Sequence, residues 1–174
     1  MNPMQSVRLA KVTLNIGVGA AGERLENARL LLEKISGGKA VLTQARTRNP
    51  SFKVRKGDNI GAKITLRGKN AEEVLKRLLE TVDNKLNPRS FDRNGNVAFG
   101  IKEYIEVPGM KYDPKIGMMG FDVCVTLQKP GARISVRKIR QQRLPLCQRV
   151  SADEARQFMH LKFGADVSEE EVNE

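Results

Sequence analysis

One histidine and two cysteines are the only imidazole and thiol groups in this 174-residue chain. Cys124 and Cys147 lie far apart and form no Cys-x-x-Cys pair, which reads as two free thiols in a reducing compartment. A structural zinc site needs about four clustered ligands, so no metal is expected. His160 has no nucleophile or acid at matching spacing, which leaves it a packed or solvent-facing side chain near a helix end and excludes the usual catalytic arrangements. Glu72-Glu73 and Glu169 to Glu171 read as a helix start and a solvated tail, not as a paired-carboxylate site. No apolar run approaches the roughly 20 residues of a membrane span. The opening Met1-Asn2-Pro3-Met4-Gln5-Ser6 has neither the charged start nor the apolar stretch of a secretion signal. A cytosolic protein that carries no cofactor and is no enzyme is the expectation.

Acidic side chains are also scarce, and their scarcity is local. There are 31 Lys and Arg against 20 Asp and Glu, for a net charge of +11 and a pI near 10.0. Residues 39–69 hold Lys39, Arg46, Arg48, Lys53, Arg55, Lys56, Lys63, Arg67 and Lys69 against Asp58 alone. Residues 129–150 hold Lys129, Arg133, Arg137, Lys138, Arg140, Arg143 and Arg149 with no acid. A merely solvated surface mixes signs; these two windows do not. Concentrated positive charge attracts phosphate and gains entropy by releasing counterions, so nucleic acid is the expected partner, ahead of a membrane surface.

Hydrophobic residues, 40% of the chain, suffice for one core at this size. Residues 7–18 alternate, with Val12, Leu14, Ile16 and Val18 on one face and Lys11, Thr13 and Asn15 on the other. That period of two predicts a half-exposed strand. A helix over 23–36 follows, closed by Gly37-Gly38, and then a short strand from Ala40 to Ala45. Residues 46–59 form a long basic loop. Ile60, Ala62, Ile64 and Leu66 alternate with Lys63, Thr65 and Arg67. Asn70 and Glu73 fit an N-cap and capping box for a helix carrying the stripe Ala71, Val74, Leu75, Leu78, Leu79 and Val82. Further strands are expected at Val97–Ile101 and at Phe121–Gln128, and one at Ile134 and Val136. Pro108 to Gly120 is expected to be a loop. A last helix begins at Ser151, with Glu154 completing a capping box, and ends at Gly164. The predicted architecture is α+β: a mostly antiparallel sheet with helices on one face and a polar, basic opposite face. It forms a single domain over 1–164, with an acidic flexible tail over 165–174.

The bare face would present Lys11, Thr13, Asn15, Lys63, Thr65 and Arg67, with Thr126 and Gln128 as further members. Hydroxyls, amides and cations suit phosphate oxygens and 2′-hydroxyls, and so RNA read by shape. Paired aromatics for base stacking are missing; only Tyr104 has a parity that would place a ring there. Gly17-x-Gly19-x-x-Gly22 has the spacing of a dinucleotide-binding turn, so a small NADP-dependent reductase using that turn and Arg46 is the alternative. Against it stand the polar face of the preceding strand and the lack of a carboxylate after the next one, where Gln44 and Arg46 sit.

Several blocks carry a resemblance. Asn15-Ile16-Gly17-Val18-Gly19, the run Ile60 to Gly68, Phe91-Asp92 with Gly95-Asn96, Gly100-Ile101-Lys102-Glu103, Tyr112-Asp113 and Gly120-Phe121-Asp122-Val123 resemble the fifth large-subunit ribosomal protein family. The basic segment 129–150 and the helix after it resemble its archaeal and eukaryotic branch. The resemblance implies a cytoplasmic component of the large ribosomal subunit that binds 5S rRNA on the polar sheet face. Asn15 and Thr65 match family positions that hydrogen-bond that RNA, while Gly38 stands where the family usually has Gln, beside Lys39. It also implies contact with peptidyl-site tRNA through the loop Arg46 to Asn59, with Arg46, Arg48, Asn49, Phe52, Lys53, Arg55 and Lys56 as candidates. Large-subunit rRNA would be held by Arg133, Arg137, Lys138, Arg140 and Arg143. A bridge to a small-subunit ribosomal protein would come from Pro108 to Met119.

Overall fold

The computed structural model describes residues 2–167. Ten elements follow in order: β1 (Arg8–Gly17), α1 (Glu23–Ser36), β2 (Val41–Gln44), β3 (Asn59–Leu66), α2 (Lys69–Glu80), β4 (Lys85–Leu86), β5 (Asn96–Ile101), β6 (Phe121–Gln128), α3 (Ala152–Phe163) and β7 (Asp166–Val167). Five strands make one antiparallel sheet in the order β2-β3-β1-β6-β5. Alternation decides which side of it is oily. Val12, Leu14, Ile16, Ala62, Ile64, Leu66, Val97, Ile101, Phe121, Val123, Val125 and Leu127 are all buried on one face. Leu25, Ala28, Leu31, Leu32 and Ile35 of α1 and the predicted stripe of α2 cover that face. Each fully buried Leu or Val in this layer contributes about 1.5–3 kcal/mol. The architecture is the expected α+β layer pair.

Local chemistry departs from the expectation at five places. Helix α2 starts two residues earlier than a cap at Asn70 requires. Its N-cap is Gly68, with φ 67° and ψ −146°, and no side chain caps it. The turn out of β3 needs a backbone conformation that L-residues avoid, so Asn70 lies inside the first turn. Ile134 and Val136 form no strand; Ala132–Ser135 is a 3-10 turn. Tyr104 is fully buried rather than on the polar face, and its oxygen accepts the Asp113 N–H at 2.9 Å. The loop after Arg46 is a hairpin arm. Asn49 and Val54 exchange both backbone hydrogen bonds, and Ala45 pairs with Gly57 and Asp58 below them. Residues 165–167, expected to open the tail, belong to the fold: Ala165 is buried, and Asp166–Val167 pairs in parallel with Lys85–Leu86. The remainder of the acidic segment, 168–174, lies outside the described residues.

Other local signals match their residues. Gly37 caps α1 in the left-handed conformation, donating to Glu33 O. Ser151 and Glu154 form the reciprocal capping box of α3, and Gly164 closes it. Glu154 has a second partner. One carboxylate oxygen accepts from the Ser151 backbone N–H, and the other accepts from Lys129 Nζ at 2.8 Å. Lys129 is buried, so this bond fixes the start of the basic segment to α3. Gln148 fixes its end, donating to Pro130 O at 2.6 Å and Met4 O at 2.9 Å. The loop 108–120 is tied to α1. Lys34 Nζ meets Asp113 Oδ2 at 2.6 Å, Asn27 Nδ2 donates to Lys115 O at 2.7 Å, and Ile116 and Met119 are buried beneath.

Two outcomes follow for stability. Gly68→Ala is expected to cost about 1–3 kcal/mol through backbone strain, whereas Asn70→Ala stays within about 0.5 kcal/mol; urea denaturation at neutral pH compares them, and a larger loss at Asn70 would restore the capping box. The Glu154 carboxyl is held below its ordinary value, chiefly by the Lys129 hydrogen bond, against a desolvation cost and with help from the Ser151 N–H. A depressed folded pKa stabilises above the unfolded pKa and loses that stabilisation as pH falls through the folded value. This contribution is therefore present at neutral pH and lost below about pH 4.5. The carboxylate is 41% exposed, so water screens the pair, and Glu154→Gln should cost only about 1 kcal/mol near neutrality. The same variant should flatten the acid limb of a stability–pH curve; an unchanged limb would show that the pair is not titrating.

Candidate nucleic-acid interface

The face of the sheet away from the helices is built from aligned rows. Pairing places Thr65, Thr13, Cys124 and Ala98 in one row across β3, β1, β6 and β5. The next row holds Val41, Lys63, Asn15, Asp122 and Gly100 across all five strands. Lys11, Thr126 and Asn96 continue on one side, and Thr43, Gly61 and Gly17 on the other. Lys63 and Thr65 are exposed, and Lys11, Thr13 and Asn15 are half-buried between neighbouring strands. Arg67 follows β3 with the same parity as Thr65 and is exposed. The predicted platform is therefore one contiguous surface. A kink in β1 between Leu9 and Lys11 turns its first residues.

What these side chains do not do is the telling property. Among the described residues, none of Lys11, Thr13, Asn15, Lys63, Thr65 or Arg67 makes a side-chain hydrogen bond or ion pair. The ion-paired cations lie elsewhere: Arg29 with Glu26 and Glu33, Lys34 with Asp113, Lys129 with Glu154, Arg156 with Asp153, and Lys162 with Glu72. Cations that face no carboxylate keep their full attraction for an external polyanion. The face is also flat. A Cβ on Gly61 would lie 2.7 Å from Ile16 O and 2.8 Å from Thr43 Oγ1, so only glycine fits between β1 and β2 there. Among the described residues no ring stands on the face: Tyr104 and Phe121 are in the core, and Phe99 packs against it.

The two basic windows leave the sheet at opposite ends. The arm 46–57 extends β2 and β3 beside Gly17, at the end where β1 finishes. Arg46, Arg48, Lys53, Arg55 and Lys56 are exposed on it, and Phe52 is 75% exposed at the tip. Lys53 takes a positive φ of 54° to make the turn. Asn49 is partly committed, since its Oδ1 accepts the Ser51 N–H at 3.1 Å. Segment 129–150 leaves β6 at the other end, where Arg8 pairs with Gln128. Arg133, Lys138, Arg140 and Arg143 are exposed with no side-chain partner among the described residues, while Arg137 Nε donates to the backbone Arg140 O at 2.8 Å. Lys39 is exposed beside Gly38 before β2. A Cβ at Gly38 would lie 3.1 Å from Ile64 Cδ1.

Sequence reasoning misses three members of the platform. Thr43 on β2 carries no charge and sits in too short a strand to show a period. Gly61 looks like a break in alternation. Asp122 reads only as part of the polar side of β6, and its place opposite Asn15 follows from pairing, which no single strand reveals.

The glycine turn is overturned as a dinucleotide site. The sheet around it is antiparallel, whereas such sites sit at the ends of parallel strands. The N–H groups of Val18 and Gly19 both donate to Ile60 O. Glu23 and Glu26 occupy the first turn of α1, where they repel a phosphate. Among the described residues no cluster of His, Cys, Asp and Glu could hold a metal ion, and no helix is long and apolar enough to cross a membrane.

Comparison with known proteins gives the family. Residues 2–55 match the family described as ribosomal protein L5, and residues 59–161 match the family described as the C-terminus of the same ribosomal protein. The large ribosomal subunit protein uL5 of Methanosphaera stadtmanae is 44% identical over 167 residues, covering 96% of this chain and 99% of its own. That of Sulfurisphaera tokodaii is 47% identical over 170 residues, covering 97% and 96%. That of Methanobrevibacter smithii is 43% identical over 166 residues, covering 95% and 98%. With both halves of the sheet matched and the likeness running almost end to end, the chain belongs to the ribosomal protein L5 family, in its archaeal form.

Proposed function

We propose that this chain is a structural, non-catalytic component of the large ribosomal subunit that holds 5S rRNA on its bare sheet face. The observation that carries the reading is the uncommitted polar platform: Lys11, Thr13, Asn15, Lys63, Thr65 and Arg67 are aligned by strand pairing and bonded to nothing in the protein among the described residues. Desolvating such groups against a partner is unfavourable unless the partner supplies hydrogen bonds and negative charge, and a ribose-phosphate surface supplies both. Family membership adds support. Lys39 extends the platform beyond β2.

The hairpin arm would reach peptidyl-site tRNA. Arg46, Arg48, Lys53, Arg55 and Lys56 would meet its backbone, Asn49 would hold the turn, and the exposed Phe52 ring offers a stacking surface. Arg133, Arg137, Lys138, Arg140 and Arg143 would hold large-subunit rRNA at the opposite end. The loop 108–119, anchored on α1 with Tyr112 and Met118 exposed, would face a small-subunit ribosomal protein. Such a component works in the cytoplasmic ribosome.

Binding to a 5S rRNA transcript across a salt series tests the reading. Neutralising about 6–8 phosphates gives a log–log slope steeper than about −4, and the affinity should exceed that for a random duplex RNA. Thr65→Ala should weaken 5S binding more than Arg55→Ala, because only Thr65 lies on the platform; the reverse order would move the 5S site to the arm.

A further inference from the structure

The segment 129–150 carries more than cations. Ile134 and Val136 form no strand in it. Instead the Gln142 N–H donates to Ile134 O at 3.3 Å and closes a loop over 134–142. Inside that loop the Arg137 N–H donates to Arg133 O at 3.0 Å, and Arg137 Nε donates to Arg140 O at 2.8 Å. Gln141 Nε2 donates to Ser135 O at 2.7 Å. Arg140 takes a positive φ of 53° to make the turn, a conformation that an arginine keeps only when its surroundings hold it. The base of the segment is held as well, where Lys129 meets Glu154 and Gln148 donates to Pro130 O. The tip 136–140 is therefore fastened by the segment's own bonds.

What the tip displays is mixed. Val136 and Ile139 are each 79% exposed, with Arg137 and Lys138 between them and Arg140 beyond. Single exposed aliphatics are ordinary. Two β-branched ones on a self-fastened turn are different, because their stiff side chains lose little freedom when a partner buries them. The neighbours narrow the choice of partner. A protein interface buries its apolar residues in a core depleted of charge; here cations adjoin both aliphatics, and no acid lies anywhere in 129–150. A nucleic acid takes that mixture, since apolar side chains can wedge between bases while adjacent cations meet the phosphates. In RNA the steps open to a wedge are bulges and loops, where bases are already splayed from the A-form stack.

We propose that the tip 136–140 is an apolar wedge: Ile139 and Val136 enter a bulge or unstacked step of the bound large-subunit rRNA, and Lys138 and Arg140 neutralise the phosphates that flank it. The inference rests on the segment 129–150 being an rRNA-binding surface. It gives that surface a preference for RNA shape, which cations on backbone cannot supply.

A wedge and a phosphate contact separate in a salt series. With the full-length protein and an archaeal large-subunit rRNA transcript, Ile139→Ser should weaken binding about tenfold. Its log–log salt slope should stay that of wild type, because no phosphate contact is lost. Ile139→Leu, which keeps the apolar surface, should bind as wild type does. Arg143→Ala should weaken binding and make the slope shallower by about one. Hydroxyl-radical cleavage of the same complexes maps protected backbone, and base-selective chemical probing maps the bases. Wild type should change base reactivity at one site bordered by protected backbone. At saturating protein, Ile139→Ser should keep the protection and lose the base signal, and Val136→Ser should do the same in part. Both side chains are exposed, so each variant should keep the wild-type thermal melt. Wild-type affinity in Ile139→Ser, or a base pattern identical to wild type, overturns the wedge and leaves the aliphatics to a protein partner. A shallower slope in Ile139→Ser also overturns it, since the loss is then one of phosphate contacts. If Arg143→Ala makes the slope shallower, the segment binds rRNA whatever Ile139 does, and these outcomes bear on the wedge alone. If Arg143→Ala changes neither slope nor affinity, the rRNA reading of the segment fails and this inference with it.

Discussion

A five-stranded sheet has two faces, and this chain has apolar helices for only one of them. That asymmetry is the constraint from which the rest follows. Because strand side chains alternate, burying Val12, Leu14 and Ile16 under α1 and α2 compels Lys11, Thr13 and Asn15 outward. The same holds for Ile64 and Leu66 against Lys63 and Thr65. A slip of one residue in any pairing would drive lysine into the core and leucine into water. The hydrophobic energy of the layer thus sets the position of every polar group on the opposite face, though it touches none of them. A surface specified in this way is rigid, and rigidity lowers the ordering cost when a partner binds.

Charge is sorted by the same architecture. On the covered side and around α3, several cations are committed within the fold: Lys34 ties down the 108–120 loop, Lys129 seats the basic segment, and Lys162 links α3 to the first turn of α2. On the bare side, among the described residues, they are left free. Exposed pairs of this kind are individually worth little, but they fix geometry. Glu154 shows how: it completes the helix cap and receives Lys129, so one carboxylate decides both where α3 begins and where the segment 129–150 departs. The number +11 says that a polyanion is attracted; the distribution of partners says where it can land.

Much of this is legible in the residues, and the failures have physical causes. Strong alternation in β1, β3 and β6 and the stripe of α2 stand out because the sheet buries only one side. The cap of α2 is misread because Asn70 is a good capping residue in isolation, whereas the tight exit from β3 requires Gly68 at a positive φ first. Ile134 and Val136 alternate like a strand, but both stay exposed, and the chain makes a 3-10 turn there instead. Tyr104 has the parity of an outward residue only if β5 runs on past Ile101; the strand stops, a 3-10 turn intervenes, and the ring goes into the core with its hydroxyl satisfied by Asp113. Each error comes from tertiary context that a local pattern lacks. Pairing across strands has the same character, which is why Asn15 is found from its own strand and its neighbour Asp122 is not.

On a basic face of this kind, affinity and discrimination are separate requirements. Cations such as those of β1 and β3, the arm and the segment 129–150 attract the backbone that every RNA possesses. Their number sets how tightly the chain holds and how strongly salt opposes it, but they cannot tell one sequence from another. Discrimination needs a group that the wrong ligand leaves unsatisfied. On a basic face a carboxylate is such a group, because its own desolvation and its repulsion of phosphate count against every ligand that lacks a donor at that point. Asp122 stands at the β5 side of the platform, away from Lys63 and Arg67, where it weakens the cationic rows least.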